Sequence, residues 1–372
     1  DLDTATRPVG STAVASGTHL DSGLVILSDS SITTFGGALG SSLQSALGDH
    51  NMAVFDELGF PFMQSASALI GYTPSSSGGS RLNHSKAQLD DGTRIQVGAA
   101  VDPWQRNSNS RIYSDNPSDQ IRSDYFALQA QNSQGSERFA GINANPGWFF
   151  GVYADSVISP AATSDDSSFA APWLGFARNG LSSGGAIALG DGKLRLGVFE
   201  GSASWNRFQP VREHRGNGAM MEYSLPIYDQ ALGLSIQSGF VNERDTFLGT
   251  ELGSALGHLE NSETYFVGIN GHLQIRENWQ ALFAVYSGTT DSSLAQGTNS
   301  GLLDLDSSIA SSSWSLGLSG HSLWQHNDQL SIYLAQPLRI ERGQASLQLA
   351  SGRTVDRQVI YQIVAIDLQP QG

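Results

Sequence analysis

The sequence predicts an all-β fold: an antiparallel up-and-down meander of about 12 strands closing into a barrel, preceded by a small N-terminal α/β module. Two observations carry this reading. Long stretches alternate apolar with small or polar residues at a period of two, which places successive side chains on opposite faces of a sheet. The connectors between them alternate between tight turns and longer polar loops, and a long meander escapes exposed edges by closing.

The pattern is clearest in Thr264–Ile275, Trp279–Gly288, Ser313–Leu323 and Gln329–Ile340. In the first, Tyr265, Val267, Ile269, Leu273 and Ile275 share one parity, and Phe266, Gly268, Asn270, His272 and Gln274 the other. Trp314, Leu316 and Leu318 alternate with Ser315, Gly317 and Ser319, and Leu330, Ile332 and Leu334 with Ser331, Tyr333 and Ala335. Arg276–Asn278 and His326–Asp328 read as turns, and Thr289–Ser312 as one long polar loop.

Residues 1–23 read as a linker, polar and turn-rich around Pro8 and Gly10. Residues 24–70 form the small module. Leu24–Leu27 and Ser31–Phe35 suit short strands, and Leu39, Leu43 and Leu47 recur at helical spacing over Ala38–Leu47, before Gly48. Met52–Phe55 and Phe60–Met63 flank the turn Asp56-Glu57-Leu58-Gly59 as a hairpin, on which the helix is expected to dock. The Ser/Gly-rich run within residues 71–90 reads as a flexible connection. Residues 91–372 form the barrel, with further strands expected near Arg94–Ala99, Asp124–Ala130, Arg138–Asn143, Trp148–Ala154, Trp173–Arg178, Gly184–Leu189, Lys193–Gly201, Ala219–Pro226, Leu232–Phe240, Ala345–Ala350 and Gln358–Leu368. The Asp191-Gly192 turn is a hairpin signal.

Composition excludes several functions. The net charge of −15 offers no basic patch for a nucleic-acid backbone. With no cysteine in the chain, a disulfide framework, a thiolate metal site and a thiol nucleophile are all excluded. No apolar run approaches the ~20 residues of a spanning helix, so membrane residence would require a β-barrel.

Charge parity extends the pattern. Lys193 and Arg195 oppose Leu194, Leu196 and Val198, and Glu222 opposes Met221 and Tyr223. In a membrane barrel these charges face the lumen, because arginine on the lipid face near the midplane costs ~2–4 kcal/mol. In a soluble sheet they face solvent. Trp148, Trp173, Tyr223, Trp279 and Trp314 fall at expected strand ends, where interfacial girdles form.

No catalytic constellation emerges. The chain has no Gly-x-Ser-x-Gly elbow, and Gly317-Leu318-Ser319-Gly320-His321 lies within a strand pattern rather than at a strand-to-helix turn. The eight histidines form no His-Glu-x-x-His motif. Asp90-Asp91, Asp165-Asp166 and Asp304-Leu305-Asp306 read as solvated loop carboxylates, with Asp304 and Asp306 the best calcium candidates of the three, although one Asp-x-Asp supplies too few oxygens. No catalytic residue, cofactor or metal site is assigned.

Two stretches carry a family likeness. The opening "DLDTATRPVG" and the following "GLVILSDSSITTFGGALGSSLQSAL…MAVFDELGFPF" resemble the region just after the catalytic domain of Gram-negative subtilisin-like serine peptidases. "SIYLAQPLRIERGQASLQLASGRT…AIDLQPQG" is similar to the last third of their autotransporter-like C-terminal β-domains. The likeness is strongest at 1–63 and 313–372. It implies a protease domain covalently preceding Asp1 and further strands after Gly372, so this stretch is expected to be a piece of a longer protein. It further implies a non-catalytic β domain, at the outer membrane or outside the cell, that translocates or anchors the protease. The rival expectation is a soluble, secreted β-rich accessory domain that binds a surface, a substrate or copies of itself.

Overall fold

The fold follows from stretches whose alternating residues turn one face of a sheet to the interior. In the computed structural model the described residues lie between 33 and 369; the main stretches outside the description are 1–32, 73–82, 101–124, 155–168, 204–213, 252–258, 295–302 and 324–328, with a few single residues and short connections. The expected strand Leu24–Leu27 lies outside the described residues.

The small N-terminal elements are β1 (Thr33–Phe35), α1 (Ala38–Leu47), β2 (Asn51–Phe55), β3 (Pro61–Ser65) and β4 (Ile70–Tyr72). The meander begins with β5 (Asn83–Gln88), β6 (Arg94–Ala100), β7 (Tyr125–Gln131) and β8 (Glu137–Ile142). It continues with β9 (Gly180–Leu189), β10 (Gly192–Ala203), β11 (His214–Ile227) and β12 (Leu232–Arg244). After the small β13 (Thr246–Phe247) and β14 (Thr250–Glu251) come the long β15 (Leu259–Arg276) and β16 (Trp279–Leu294). The chain ends through β17 (Leu303–Leu305), β18 (Ile309–His321), β19 (Gln329–Arg342), β20 (Gln344–Arg353) and β21 (Val359–Asp367).

One 12-stranded sheet runs in the order β19-β18-β16-β15-β12-β11-β10-β9-β8-β7-β6-β5, every neighbouring pair antiparallel. The sequence-predicted all-β meander is therefore the observed fold. β5 lies within the stretch read as a connection and forms one edge of the sheet. β17, β20 and β21 form a separate three-stranded sheet, β20 following β19 in the chain after Gly343.

Helix α1 matches its helical spacing, and Leu39, Leu43 and Leu47 are fully buried. Its docking differs from expectation. Its principal neighbours are β19, β1 and β21, while the hairpin β2–β3 lies along β20. Spacing revealed the buried stripe of the helix but not which of several apolar surfaces covers it.

Three further expectations are corrected. Trp148–Ala154 and Trp173–Arg178 are not strands: Pro146–Phe149 and Pro172–Ala177 are 3₁₀ turns and Gly151–Ala154 (α2) is one helical turn. Both runs are apolar without alternation because the segment is surrounded on all sides, not half-buried. Thr289–Ser312 is not one loop. β16 continues to Leu294 and β18 starts at Ile309, with β17 between. Hydroxyl-rich residues extend these strands because the inner face of the sheet accepts them: Thr264 and Thr290 are both buried, and their hydroxyls lie 2.8 Å apart.

Candidate functional site: the outer face and the filled interior

The sheet is inside out relative to a water-soluble domain. On the outer face, Leu196, Val198, Met221, Ile236, Val267 and Val285 are exposed. So are Tyr265, Ile269, Leu273, Ile275, Leu316, Leu318, Ile332 and Leu334 of the predicted apolar parity. Phe283 and Trp314 of that set are half-buried. The alternate residues Asn270, Ser315 and Ser319 are buried, with His272 and Ser331 half-buried. Register makes the apolar residues a continuous surface: Ile236 pairs with Ile269, Ile269 with Val285, and Val285 with Trp314.

Charged groups bound this surface at both ends. At the long-connection end, Glu200, Asn217, Asn242, Glu263 and Asp291 are successive cross-strand partners across β10, β11, β12, β15 and β16. Directly inside that row, Phe240 and Tyr265 face each other with ring centroids 6.3 Å apart. At the short-turn end lie Arg276, Glu277 and Trp279. Tyr223 and Trp279 stand near the short turns, as a girdle would, with the Tyr223 hydroxyl donating to Leu189 O at 3.1 Å. Trp148 and Trp173 do not belong to such a girdle, being buried in the interior, and Trp314 sits mid-strand, its indole N–H donating to Gln336 at 2.9 Å.

The described parts of the β8–β9 connection, residues 144, 146–154 and 169–177, lie in the interior. Phe149 stacks on Phe139 of β8 at 4.5 Å, Trp173 on Phe266 of β15 at 5.1 Å, and Phe169 meets Tyr333 of β19 edge-on at 6.4 Å. Phe169 N–H donates to the Tyr153 hydroxyl at 3.3 Å, tying the two described parts together. β8 and β19 are eight strand spacings apart, or about 38 Å in a flat sheet at roughly 4.8 Å per strand. One short segment touches both, so the sheet curves around it.

Glycines on the inner face form the sockets. A Cβ on Gly288 would stand 2.5 Å from the Trp173 ring, and one on Gly317 would stand 2.6 Å from the Phe169 ring. Gly151, at φ +56°, turns within the segment where a Cβ would press on the Asn270 amide.

A charge cluster lies beneath. Arg195, fully buried, joins Glu222 through Nη1, and its Nη2 and Nε lie 3.1 and 3.3 Å from Glu137 Oε2. Lys193 joins the other oxygen of Glu137. Glu222, also fully buried, accepts from the Gln237 amide and from the Gly151 backbone N–H. The Tyr286 hydroxyl lies 2.9 Å from Gln237 Oε1 and 3.0 Å from the Phe169 carbonyl, and accepts from Asn270 Nδ2 at 3.1 Å. Two cations face two carboxylates, so charges that could not stand alone in the interior are mutually compensated.

Lys193, Arg195 and Glu222, which parity sets opposite the apolar residues, lie on the inner face, as the membrane-barrel alternative expects. Glu137, Gln237 and Tyr286 carry no such signal, while Asn270 is read only as a member of the polar parity and Trp148 and Trp173 as girdle residues. The available signal was the unalternating Trp148-Phe149-Phe150 run after Pro146. Asp304 lies exposed on β17 opposite Ser346, and Asp306 lies outside the described residues. Among the described residues no three of His, Asp and Glu gather at metal-binding distance. Ser319 points to the inner face, its hydroxyl 3.0 Å from that of Ser331.

No protein-family profile matches the chain, and no curated protein matches it. Among solved structures, it is similar to in-vitro folded OmpT, an outer membrane protein of Vibrio cholerae, at 9% identity and a TM-score of 0.34, over 85% of this chain and 91% of that one.

Proposed function

We propose that this chain is a membrane-embedded β-barrel domain that anchors a covalently attached partner in an outer membrane. The observation that carries the reading is the outward apolar surface, bounded at one end by the polar and charged row from Glu200 to Asp291 and, at the β15–β16 turn, by Arg276 and Glu277. On β15 it runs from Tyr265 to Ile275, between Glu263 and Arg276. Ten residue steps at ~3.3 Å give about 33 Å of strand, or ~25 Å of height at the usual tilt. That equals the apolar band of outer-membrane barrels. A water-soluble barrel would turn the same side chains into its core.

The attached partner is a subtilisin-like protease domain on the N-terminal side, proposed from the resemblance of residues 1–63 and 313–372. The chain itself contributes no catalysis in this reading. The second reading, a soluble secreted accessory domain, draws its support from β5–β8, whose six or seven residues fall short of the ~9–11 that span a bilayer.

Vesicle flotation separates the two. The anchoring reading expects the purified chain to require detergent and to float with phospholipid vesicles after detergent removal. A chain that stays monodisperse in plain buffer and remains at the bottom of the gradient overturns it in favour of the soluble domain.

A further inference from the structure

We propose that α1 and the β2–β3 hairpin of the N-terminal module are a clasp held shut by the last strands of the chain, folded only while β19, β20 and β21 are in place. The clasp is independent of the membrane question and holds whether the outer surface faces lipid or water.

The parts of the module are marginal by themselves. α1 is a ten-residue helix with no acidic residue in its first turn and no basic residue in its last, so its dipole is uncompensated by side chains. A helix of that length is marginal in water without tertiary packing. β2 and β3 pair only with each other as a two-stranded sheet, which is likewise marginal without a surface to pack on. A unit of about 40 residues rarely folds alone unless a disulfide, a metal or a partner surface supplements its core. The chain has no cysteine, and among the described residues no metal-ligating cluster gathers.

The partner surface comes from the far end of the chain. Leu39, Leu43 and Leu47 share one buried cluster with Ile340 of β19, Leu347 of β20 and Ile366 of β21. α1 lies against β19 and β21, and β2 against β20. Ala53 of β2 and Ala350 of β20 form a second cluster, on which Val359 and Tyr361 of β21 pack.

This junction sits at the long-connection end of the sheet. Arg342, the last residue of β19, pairs with Ala310 at that end of β18, and the Leu368 N–H donates to the Gly343 carbonyl at 3.0 Å. β1 lies against β14, and the neighbouring β13 is held to β15 where the Ser262 hydroxyl donates to the Thr246 carbonyl at 2.9 Å. The N-terminal module and the C-terminal strands therefore meet at one end of the molecule. Anything attached ahead of the module is fixed there only in a chain whose last strands have formed.

Hydrogen exchange on the full chain, kept monodisperse in detergent or buffer, tests this segment by segment. In sub-denaturing urea the amides of α1, β2, β20 and β21 are expected to open as one unit, before those of β11 and β12. Leu347 is fully buried in the shared cluster. Leu347→Asp is expected to speed exchange over Ala38–Leu47 by at least about tenfold, since a carboxylate without a partner is costly there, and to leave β11 and β12 unchanged. Linkage makes the effect reciprocal, so Leu43→Asp is expected to loosen β20 and β21 in the same way. Wild-type protection of α1 in the Leu347→Asp chain overturns the clasp, as does a Leu43→Asp chain in which β20 and β21 stay fully protected. An equal rise in β11 and β12 also overturns it, because the module would then belong to one global unit. If Leu347→Asp does not fold, Leu347→Ala replaces it, with the same pattern expected at a smaller fold-change.

Discussion

Ile269 and Asn270 are neighbours on β15, yet Ile269 is 46% exposed and Asn270 is completely buried. A soluble sheet orders such a pair the other way round. The apolar member is on the side of the sheet away from the protein, and the amide faces Gly151 of the β8–β9 connection and donates to the Tyr286 hydroxyl. Placing Arg at Ile269 should therefore destabilise the inserted protein by ~2–4 kcal/mol, as a charge near the bilayer midplane does. The same change at Glu263, in the bounding row, should have little effect. Reversible urea unfolding in the presence of vesicles measures both, and equal effects at the two positions would contradict the depth assignment.

Arg195 tests the interior in a different way. Replacing it by Met leaves Glu222 and Glu137 in the wall without their shared cation, and removal of one partner from a buried ion pair costs roughly 3–5 kcal/mol. Adding Glu222→Gln should recover part of that loss, since it removes the carboxylate that Arg195 had compensated. Unfolding of the single and double variants gives the coupling. Strict additivity would show that the two side chains do not interact.

Outside the main sheet, Leu43 on α1 is fully buried. Leu43→Asp should lower stability by several kcal/mol, because a carboxylate transferred to an apolar site without a partner pays its full desolvation. The expected readout is an early, separate loss of the far-ultraviolet helix signal on heating. An unchanged melt would show that α1 is not packed on β19.

Incubation with casein and with a serine-directed fluorophosphonate should give neither cleavage nor labelling, since Ser319 lies within β18 and pairs with Ser331 rather than standing at a nucleophile elbow. Stoichiometric labelling of one serine, lost on mutation of a nearby histidine, would contradict the proposal that the chain contributes no catalysis.

The meander was legible because its long strands alternate in parity, most regularly β15 from Asn261 to Asn270. Parity also put Leu194 and Arg195 on opposite faces without deciding which face is interior. It carried no information on the content of the interior. Trp148, Phe149, Phe150 and Trp173 were read as strand residues and a girdle, because a run buried on every side resembles a buried strand in sequence. The length of β16 and β18 was missed for the opposite reason. Thr289, Thr290 and Ser311–Ser313 have the composition of a loop, and only an inner face rich in hydroxyls makes them strand. The docking of α1 depends on contacts with β19 and β21, at the far end of the chain, which no local pattern encodes.

The orientation of the two faces is tested most directly by site-directed spin labels in the vesicle-inserted, otherwise cysteine-free chain. Single cysteines at Val267, Leu316 and Ile332 report the outer face, and at Asn270 and Ser319 the inner one. The account predicts high collision rates with oxygen, the lipid-soluble relaxer, at the first three and low rates at the last two. Labels at Val267, Leu316 and Ile332 that are shielded from oxygen, or that respond chiefly to a water-soluble nickel chelate, would contradict it.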